Sequence, residues 1–499
     1  MTLQGALPLA ILGSSLLPGL IIFFLAEPHR RGRTWLNMAG AVIKVLLVAG
    51  ALLGVYHGAT FEVAVPLVPD YPLLLRLDPL ALLFVSLSAV LWLLTTVYAV
   101  GYLEGSPNRS RFFGFFSLCV SATVGIAMAG NLFTLFFFYE VLTLSTYPLV
   151  VHRETEQSLR AGRIYLAYVM TGSAVLLGAV VWLHALAGPF EFAVSGGAVD
   201  HLDAEHRPAL LAIFLLMVGG FGVKAALVPM HRWLPAAMVA PAPVSALLHA
   251  VAVVKAGAFG IARTVYDVFG AELAHDLGGT TVLAAVAGFT IIYGSLRALQ
   301  QDDLKRRLAY STVSQLSYIV LGVSLVGPLA TIGGLVHLVH QGIMKITLFF
   351  AAGNLAETLH LHKVSELDGV GRRMPWTMAA FTVAAFGMMS APPLAGFVSE
   401  WFLGLGALEG DAPWALAVLL ASSLLNAAYF LPVVYRGWFR PRRGPWHENL
   451  PRHRLETHPW LLLPPVITAG MVIALGLFAA SVWSPLTWVR LIAAQEYPL

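Results

Sequence analysis

The chain has 499 residues, of which 58% are hydrophobic and only 11% charged, with a mean hydropathy of +0.78. Soluble globular proteins carry about 25% charged residues, so the composition excludes a soluble enzyme and indicates an integral membrane protein. The net charge of +4 lies mostly at helix ends and gives no reason to expect nucleic acid as a partner, while the single Cys119, inside an apolar run, excludes a disulfide frame or a thiolate metal site.

Apolar runs of about 20 residues, each enough to cross the hydrocarbon layer as a helix, recur along the whole chain. They predict fourteen spans, at 5–26, 34–56, 79–102, 111–129, 131–151, 161–187, 208–229, 243–266, 279–298, 306–326, 329–353, 375–408, 414–439 and 461–487. The first has no basic leader and is followed by many others, so it reads as a membrane helix and not a cleaved signal. The loops alternate in charge. Seven of them, from "EPHRRGR" after the first span to "RGWFRPRRGPWHENLPRHR" before the last, hold 22 of the 30 Lys and Arg. The opposite loops have Arg76, Arg207, Arg263 and Arg490 as their only Lys or Arg, but 13 of the 26 acids. Positive charge gathers on the cytoplasmic side, which predicts a multi-pass protein of the inner (cytoplasmic) membrane with both termini facing outward.

Six charges remain inside spans: Lys44, Glu140, Lys224, Lys255, Lys345 and Glu400. Four histidines lie in or near spans as well, at His184, His249, His337 and His340. Four of the six lysines are thus intramembrane, whereas nearly all 24 arginines stay in loops or at span ends. That partition is informative. Arginine keeps its proton under ordinary conditions, while a desolvated lysine gives one up far more readily. Lysine with glutamate and histidine is the set a proton relay needs. The competing reading of Glu140, Lys224, Lys255 and Glu400 is static intramembrane ion pairing. Lys44, about 15 Å into its helix at 1.5 Å per residue, has the length to snorkel, and His184 sits near a helix end; the sequence leaves their part in a relay open.

Two spans carry the marks of broken helices. "AALVPMHRWLPAAMVAPAP" after Lys224 contains Pro229, Pro235, Pro241 and Pro243, and "SAPPLAGFVSE" places Pro392, Pro393 and Gly396 just before Glu400. A proline inside a helix removes a backbone hydrogen bond, and lipid offers the freed carbonyl no partner. Such breaks persist where they line a polar cavity. They fall in spans seven and twelve, five apart, which predicts two inverted five-helix repeats, spans four to eight and nine to thirteen, with an ion path between them. The expected divisions are 1–110 for the first three spans with an outward loop, 111–266 for the first repeat, 279–439 for the inverted second, and 440–499 for a basic cytoplasmic loop and the last span.

Four stretches, "YEVLTLSTYPLV", "MHRWLPAAMVAPAPVSALLHAVAVVKAG", "ALQQDDLKRRLAYSTVSQLSYIVLG" and "SAPPLAGFVSEW", together resemble the antiporter-like proton-pumping subunits of respiratory complex I and of Mrp-type cation/proton antiporters. Their order and spacing match from about span three to span thirteen. The resemblance implies an all-α membrane fold of fourteen helices with two inverted repeats. It also implies roles: a glutamate on span five, matched by Glu140, and a lysine on the broken span seven, matched by Lys224. On span eight the family has a lysine or histidine, and both His249 and Lys255 fit. Span eleven carries histidine and lysine, supplied by His337, His340 and Lys345, and span twelve ends the path with a lysine or glutamate, here Glu400. Two departures stand out. Many relatives have an asparagine–histidine pair before the span-eleven lysine, where "HQGIMK" puts His340 and Gln341, so the histidine is displaced by one position. The chain also stops twelve residues after span fourteen, without the long lateral helix of the largest members, which suggests the Mrp D-type or the mid-sized complex I subunits.

The expected function is therefore proton translocation by a membrane subunit of a multisubunit Mrp-like monovalent cation/proton antiporter. In this reading Glu140 and Lys224 form a pair whose separation moves a proton along Lys255, His337, His340 and Lys345 towards Glu400, with titration shared among the coupled groups. The expected partners are other membrane subunits, protons and the lipid bilayer, with sodium or potassium left open. No cofactor is expected, because the chain has neither a cysteine cluster for iron–sulfur ligation nor a glycine-rich turn for a dinucleotide. The alternatives are a proton-pumping module of a complex I-like or membrane-bound hydrogenase enzyme, with catalysis in other subunits, and the membrane partner of a soluble enzyme in inorganic-carbon uptake. A quinone-binding enzyme has the least support.

Overall fold

The apolar runs fold as helices along the whole chain. The computed structural model describes residues 3–69, 71–199, 202–442, 444–446 and 456–497, so much of the basic loop expected before the last span lies outside the described residues. The chain begins with α1 (Leu3–Phe23) and α2 (Arg30–Tyr56), then an antiparallel hairpin of β1 (Glu62–Val68) and β2 (Tyr71–Arg76). It continues through α3 (Pro79–Tyr102), α4 (Arg109–Ala127), α5 (Leu132–Val150), α6 (Glu156–Ala187) and α7 (Arg207–Lys224). A short α8 (Trp233–Ala236) leads to α9 (Ala242–Ala250) and α10 (Val253–Arg263), which ends in a π-helical stretch, Thr264–Phe269. Next come α11 (Ala271–Asp276), α12 (Gly279–Leu299), α13 (Leu304–Ser324) and α14 (Pro328–Leu359). The rest is α15 (Val370–Arg373), α16 (Pro375–Met388), α17 (Ala395–Glu409), α18 (Pro413–Phe439), α19 (Pro459–Leu477) and α20 (Pro485–Glu496). Asp78, Asn131, Thr155 and Asp303 cap α3, α5, α6 and α13 by accepting the N–H of the residue three further on. Each such cap is worth about 1 kcal/mol.

Among the described residues, twelve helical segments are long and apolar enough to cross a membrane, two fewer than expected. The two that fall short have physical reasons. The stretch expected at 306–326 is α13, whose body carries Ser311, Thr312, Ser314, Gln315 and Ser317. Every residue from Arg307 to Ser324 is buried, so no face of α13 has to satisfy lipid and its sequence is free to be polar. The stretch expected at 375–408 is two shorter helices, α16 and α17, parted at 389–394. The long α14 is the centre of the bundle, packed against α3, α9, α13, α16, α17, α19 and α20.

The hairpin is an element that the apolar pattern does not predict. Its strands pair Glu62 with Arg76, Val63 with Leu75 and Ala64 with Leu74, and it closes one end of the bundle. Leu74 N–H donates to Thr134 Oγ1 at 2.8 Å, and Leu75 bridges to Ala129 at the α4–α5 turn. The breaks expected in spans seven and twelve are present: α7 stops at Lys224, five residues before the predicted end of its span, and α16 gives way to α17. A third break parts α9 from α10 at Val251–Ala252.

Candidate functional site

The first pair of residues meets where α5 passes the broken end of α7. Lys224 is the last residue of α7, where the helix dipole favours a cation. Its side chain is fully buried. Nζ donates to the Tyr139 carbonyl at 2.6 Å and stands 3.2 Å from the centre of the Tyr139 ring. Trp233 Nε1–H donates to the Val223 carbonyl at 2.7 Å, taking up one of the acceptors that the break frees. Glu140, the next residue on α5, is half-buried on the flank of the bundle, and its Oε1 accepts from Ser173 Oγ on α6. The two do not form a direct ion pair. The expected electrostatic partnership runs through Tyr139, whose carbonyl and ring hold the lysine beside the glutamate's own helix.

The second group fills the middle of the bundle. His249 on α9, Lys255 on α10, and His337, His340 and Lys345 on α14 are all fully buried. His337 Nδ1 and Ser399 Oγ on α17 lie 2.9 Å apart, and its ring stacks on Tyr318, centroids 5.2 Å apart. Lys345 Nζ donates to Ser311 Oγ on α13. Lys255 Nζ, both ring nitrogens of His249 and the side-chain amides of Gln315 and Gln341 have no hydrogen-bond partner within the protein. Buried polar atoms are almost always paired, and in a polar cavity water supplies the missing partners. These unpartnered groups lie on adjoining helices in the middle of the bundle.

The third group is on α17. Glu400 is half-buried, and its Oε2 accepts from Ser423 Oγ on α18 at 2.9 Å. The break before it is satisfied as lipid requires: Asn426 Nδ2 donates to the Met388 carbonyl at the end of α16, 3.0 Å. Ser399, beside Glu400 in sequence, is the residue that meets His337, so α17 joins the central group to Glu400.

Several residues of the path escape a reading by charge. Lys305, a loop charge by its place in "DDLKRR", turns inward to donate to the Ala240 carbonyl at 2.6 Å. With Tyr102, Arg153, Asp303, Arg306 and His362 it lines a cleft of about 440 Å³ on the arginine-rich face. Gln315, Tyr318 and Gln341 are uncharged, but Ser311, Gln315 and Tyr318 recur at helical spacing along α13, a signal visible in the sequence. Lys44 does not snorkel: it is fully buried, with Nζ on Ser15 Oγ at 2.6 Å. His184 stacks on Phe190 and meets the ring of Tyr71, on the hairpin, at a tilt. Among the described residues, no three His, Cys, Asp or Glu side chains are grouped to hold a metal ion.

Residues 129–431 match the family described as NADH:quinone oxidoreductase/Mrp antiporter, transmembrane. The chain belongs to that family. Residues 70–113 also match the N-terminal region described for chain 5 of NADH-ubiquinone oxidoreductase (complex I). The chain is 36% identical over 425 residues to NADH-quinone oxidoreductase subunit N of Desulforudis audaxviator, covering 82% of this chain and 83% of that one. It is 28% identical over 412 residues to the D-type subunit of the Na(+)/H(+) antiporter of Alkalihalophilus pseudofirmus, covering 82% and 81%. Other curated relatives are longer, and the chain spans between 46% and 63% of their length. Its fold matches a chain of the Mrp complex from Dietzia with a TM-score of 0.87 at 24% identity, over 100% of this chain and 98% of that one. The antiporter-like family membership expected from the motifs is thus established.

Proposed function

We propose that the chain is a proton-translocating subunit of a multisubunit Mrp-like monovalent cation/proton antiporter in the inner membrane. The observation that carries this reading is the group of fully buried lysines and histidines on α9, α10 and α14, with the half-buried Glu140 on α5 and Glu400 on α17. A proton enters from one face, is handed along Lys255, His337, His340 and Lys345 with His249 beside them, and is steered by the charge state of Glu140 with Lys224 and of Glu400. The half-buried positions of Glu140 and Glu400 suit contacts with other membrane subunits, and solved relatives of this fold come from multisubunit membrane complexes. Spans four to eight and nine to thirteen act as two inverted repeats around this group, with both termini outward.

The second reading is a proton-pumping module of a complex I-like enzyme, favoured by the 36% identity to an NADH-quinone oxidoreductase subunit. Its redox centres would lie in other subunits. Proton flux in inverted vesicles, with the complex assembled, separates the two. Flux driven by a sodium or potassium gradient, and reduced at least tenfold by Lys255→Met, supports the antiporter; flux driven only by a reductant supports the pump. Vesicles that move no protons under either drive overturn both.

A further inference from the structure

A cluster outside the central group lies at the hairpin end of the bundle. Arg263 at the end of α10 is 1% exposed. Its Nη2 donates to both oxygens of Asp78, the cap of α3, at 2.8 and 3.0 Å, and its Nη1 to Asp267 at 3.1 Å. A third carboxylate belongs to α20: Glu496 is 9% exposed, and its Oε2 accepts the Ser195 N–H at 3.0 Å. Asp267, Asp78 and Arg263 all act on Glu496 electrostatically. Two carboxylates therefore pair with one buried guanidinium and a third, Glu496, lies within its electrostatic reach; the Nε–H of Arg263 has no partner within the protein. A buried N–H in that state calls for water inside the cluster.

The cluster is connected on both sides. Asp78, 21% exposed, sits in the wall of an open cleft of about 430 Å³, together with Glu62, Arg76 and Gln495. Inward, the Tyr266 hydroxyl and Thr331 Oγ1 are 2.8 Å apart, and Thr331 Oγ1 and the Tyr497 hydroxyl 3.2 Å. Thr331 lies about 9 Å along α14 from His337 at 1.5 Å per residue, and Tyr497 adjoins Glu496.

We propose that Glu496, with Asp267 and Asp78 around Arg263, is the proton-exchange group at this mouth of the path, linking the hydroxyls of Thr331, Tyr266 and Tyr497 to the cleft at Asp78. The inference rests on the proton-translocating reading above. Arg263 is already paired with Asp78 and Asp267, so the buried Glu496 has no counter-charge of its own and the cluster holds a proton, which exchanges at the solvent-facing Asp78. The step is a hop: the O–H bond at Glu496 breaks as one forms at Asp267 or Asp78 through intervening water, and cleft water then takes the proton. Burial, with Asp267 beside it, pushes the Glu496 carboxyl up to about 8. The other charges nearby are already engaged, Arg76 with Glu62 and Glu191.

The test is proton flux by the reconstituted complex against pH on the Asp78 side. Wild type is expected to show a step near pH 8; Glu496→Gln, which keeps an acceptor for Ser195 N–H, loses the step and at least tenfold in rate, and Glu496→Asp keeps the step at reduced rate. Infrared difference spectra of the purified complex add a readout independent of transport: a protonated-carboxyl band titrating through the same pH in wild type and absent in Glu496→Gln. If Glu496→Gln does not assemble, Asp78→Asn, which preserves the α3 cap, shifts the step to lower pH by removing a neighbouring negative charge; an unmoved step overturns the assignment. Wild-type rate and profile in assembled Glu496→Gln also overturn it while leaving the translocation reading intact, whereas a wild-type complex without flux removes both.

Discussion

Lys224 has two tasks that substitution can separate, holding a positive charge against α5 and releasing a proton. Its Nζ is fixed by the Tyr139 carbonyl and ring face, contacts that a guanidinium also makes, since arginine donates to carbonyls and stacks on aromatics. If the charge alone matters, Lys224→Arg is tolerated apart from its bulk. If position 224 must release a proton in each cycle, arginine fails, because its guanidinium keeps its proton far above neutrality. The expected outcome is flux nearly as low for Lys224→Arg as for Lys224→Ala, with better assembly of the arginine variant; near-wild-type flux per assembled complex would return Lys224 to a static role. Glu140→Gln makes the companion test. Glutamine still accepts from Ser173 Oγ, so the complex should assemble while its flux falls at least tenfold, and undiminished flux would make Glu140 a fixed counter-charge. These residues are legible in the sequence because a charge in an apolar run has few bland explanations. What joins them is not: the link between Lys224 and Glu140 is a backbone carbonyl, which every residue carries. Lys305 likewise reads as one more loop cation, because nothing local shows that α13 begins inside the bundle.

Broken helices must still pack, and the close approach of α10 to the end of α7 depends on one missing side chain. A Cβ on Gly257 would stand 2.3 Å from Ala225 N, 2.7 Å from Phe221 O and 2.8 Å from the Lys224 carbonyl carbon. All three are backbone atoms at the end that carries Lys224, so no side chain can move aside. Gly257→Ala is therefore expected to push the two helices apart at a cost of about 1–3 kcal/mol, with a lower thermal midpoint for the detergent-solubilised complex and a displaced Lys224. Gly178→Ala on exposed α6, where an added Cβ meets nothing within 4 Å, is the control and should be neutral or slightly stabilising; equal midpoints for the two variants would show that the contact is not tight. Prolines announce the breaks in spans seven and twelve. The break at Val251–Ala252 sits in "HAVAVVK", which has neither proline nor glycine, so tertiary packing imposes it and no local rule exposes it. The hairpin is hidden for the opposite reason: Pro66 and Pro72 demote its strands in any sequence reading, yet a two-stranded ribbon is all edge and accommodates both.

Across the whole molecule, burial alone does not set hydropathy: α13, enclosed from Arg307 to Ser324, is too polar to register as a span, while the largely buried α3 and the outward-facing α2 are both strongly apolar. The stretch expected at 306–326 therefore does not stand among the twelve apolar segments, and the alternation of loop charge makes an orientation testable. The single Cys119 is buried, with Sγ near the hydroxyls of Ser145 and Thr146, so Cys119→Ser preserves a small polar group there and provides a thiol-free background. Thr60, exposed at the hairpin, and Gln157, exposed in the first turn of α6, lie at opposite ends of the bundle, because α5 runs from the strand β2 to the turn before α6. The seven basic stretches of the sequence, one of which contains Gln157, hold 22 of the 30 Lys and Arg, and moving such stretches outward is what the positive-inside rule opposes. In intact cells a membrane-impermeant thiol reagent should therefore label Thr60→Cys and leave Gln157→Cys unlabelled until the membrane is opened. The reverse pattern would invert the molecule and carry the Asp78 cleft to the cytoplasm and the Lys305 cleft to the outside.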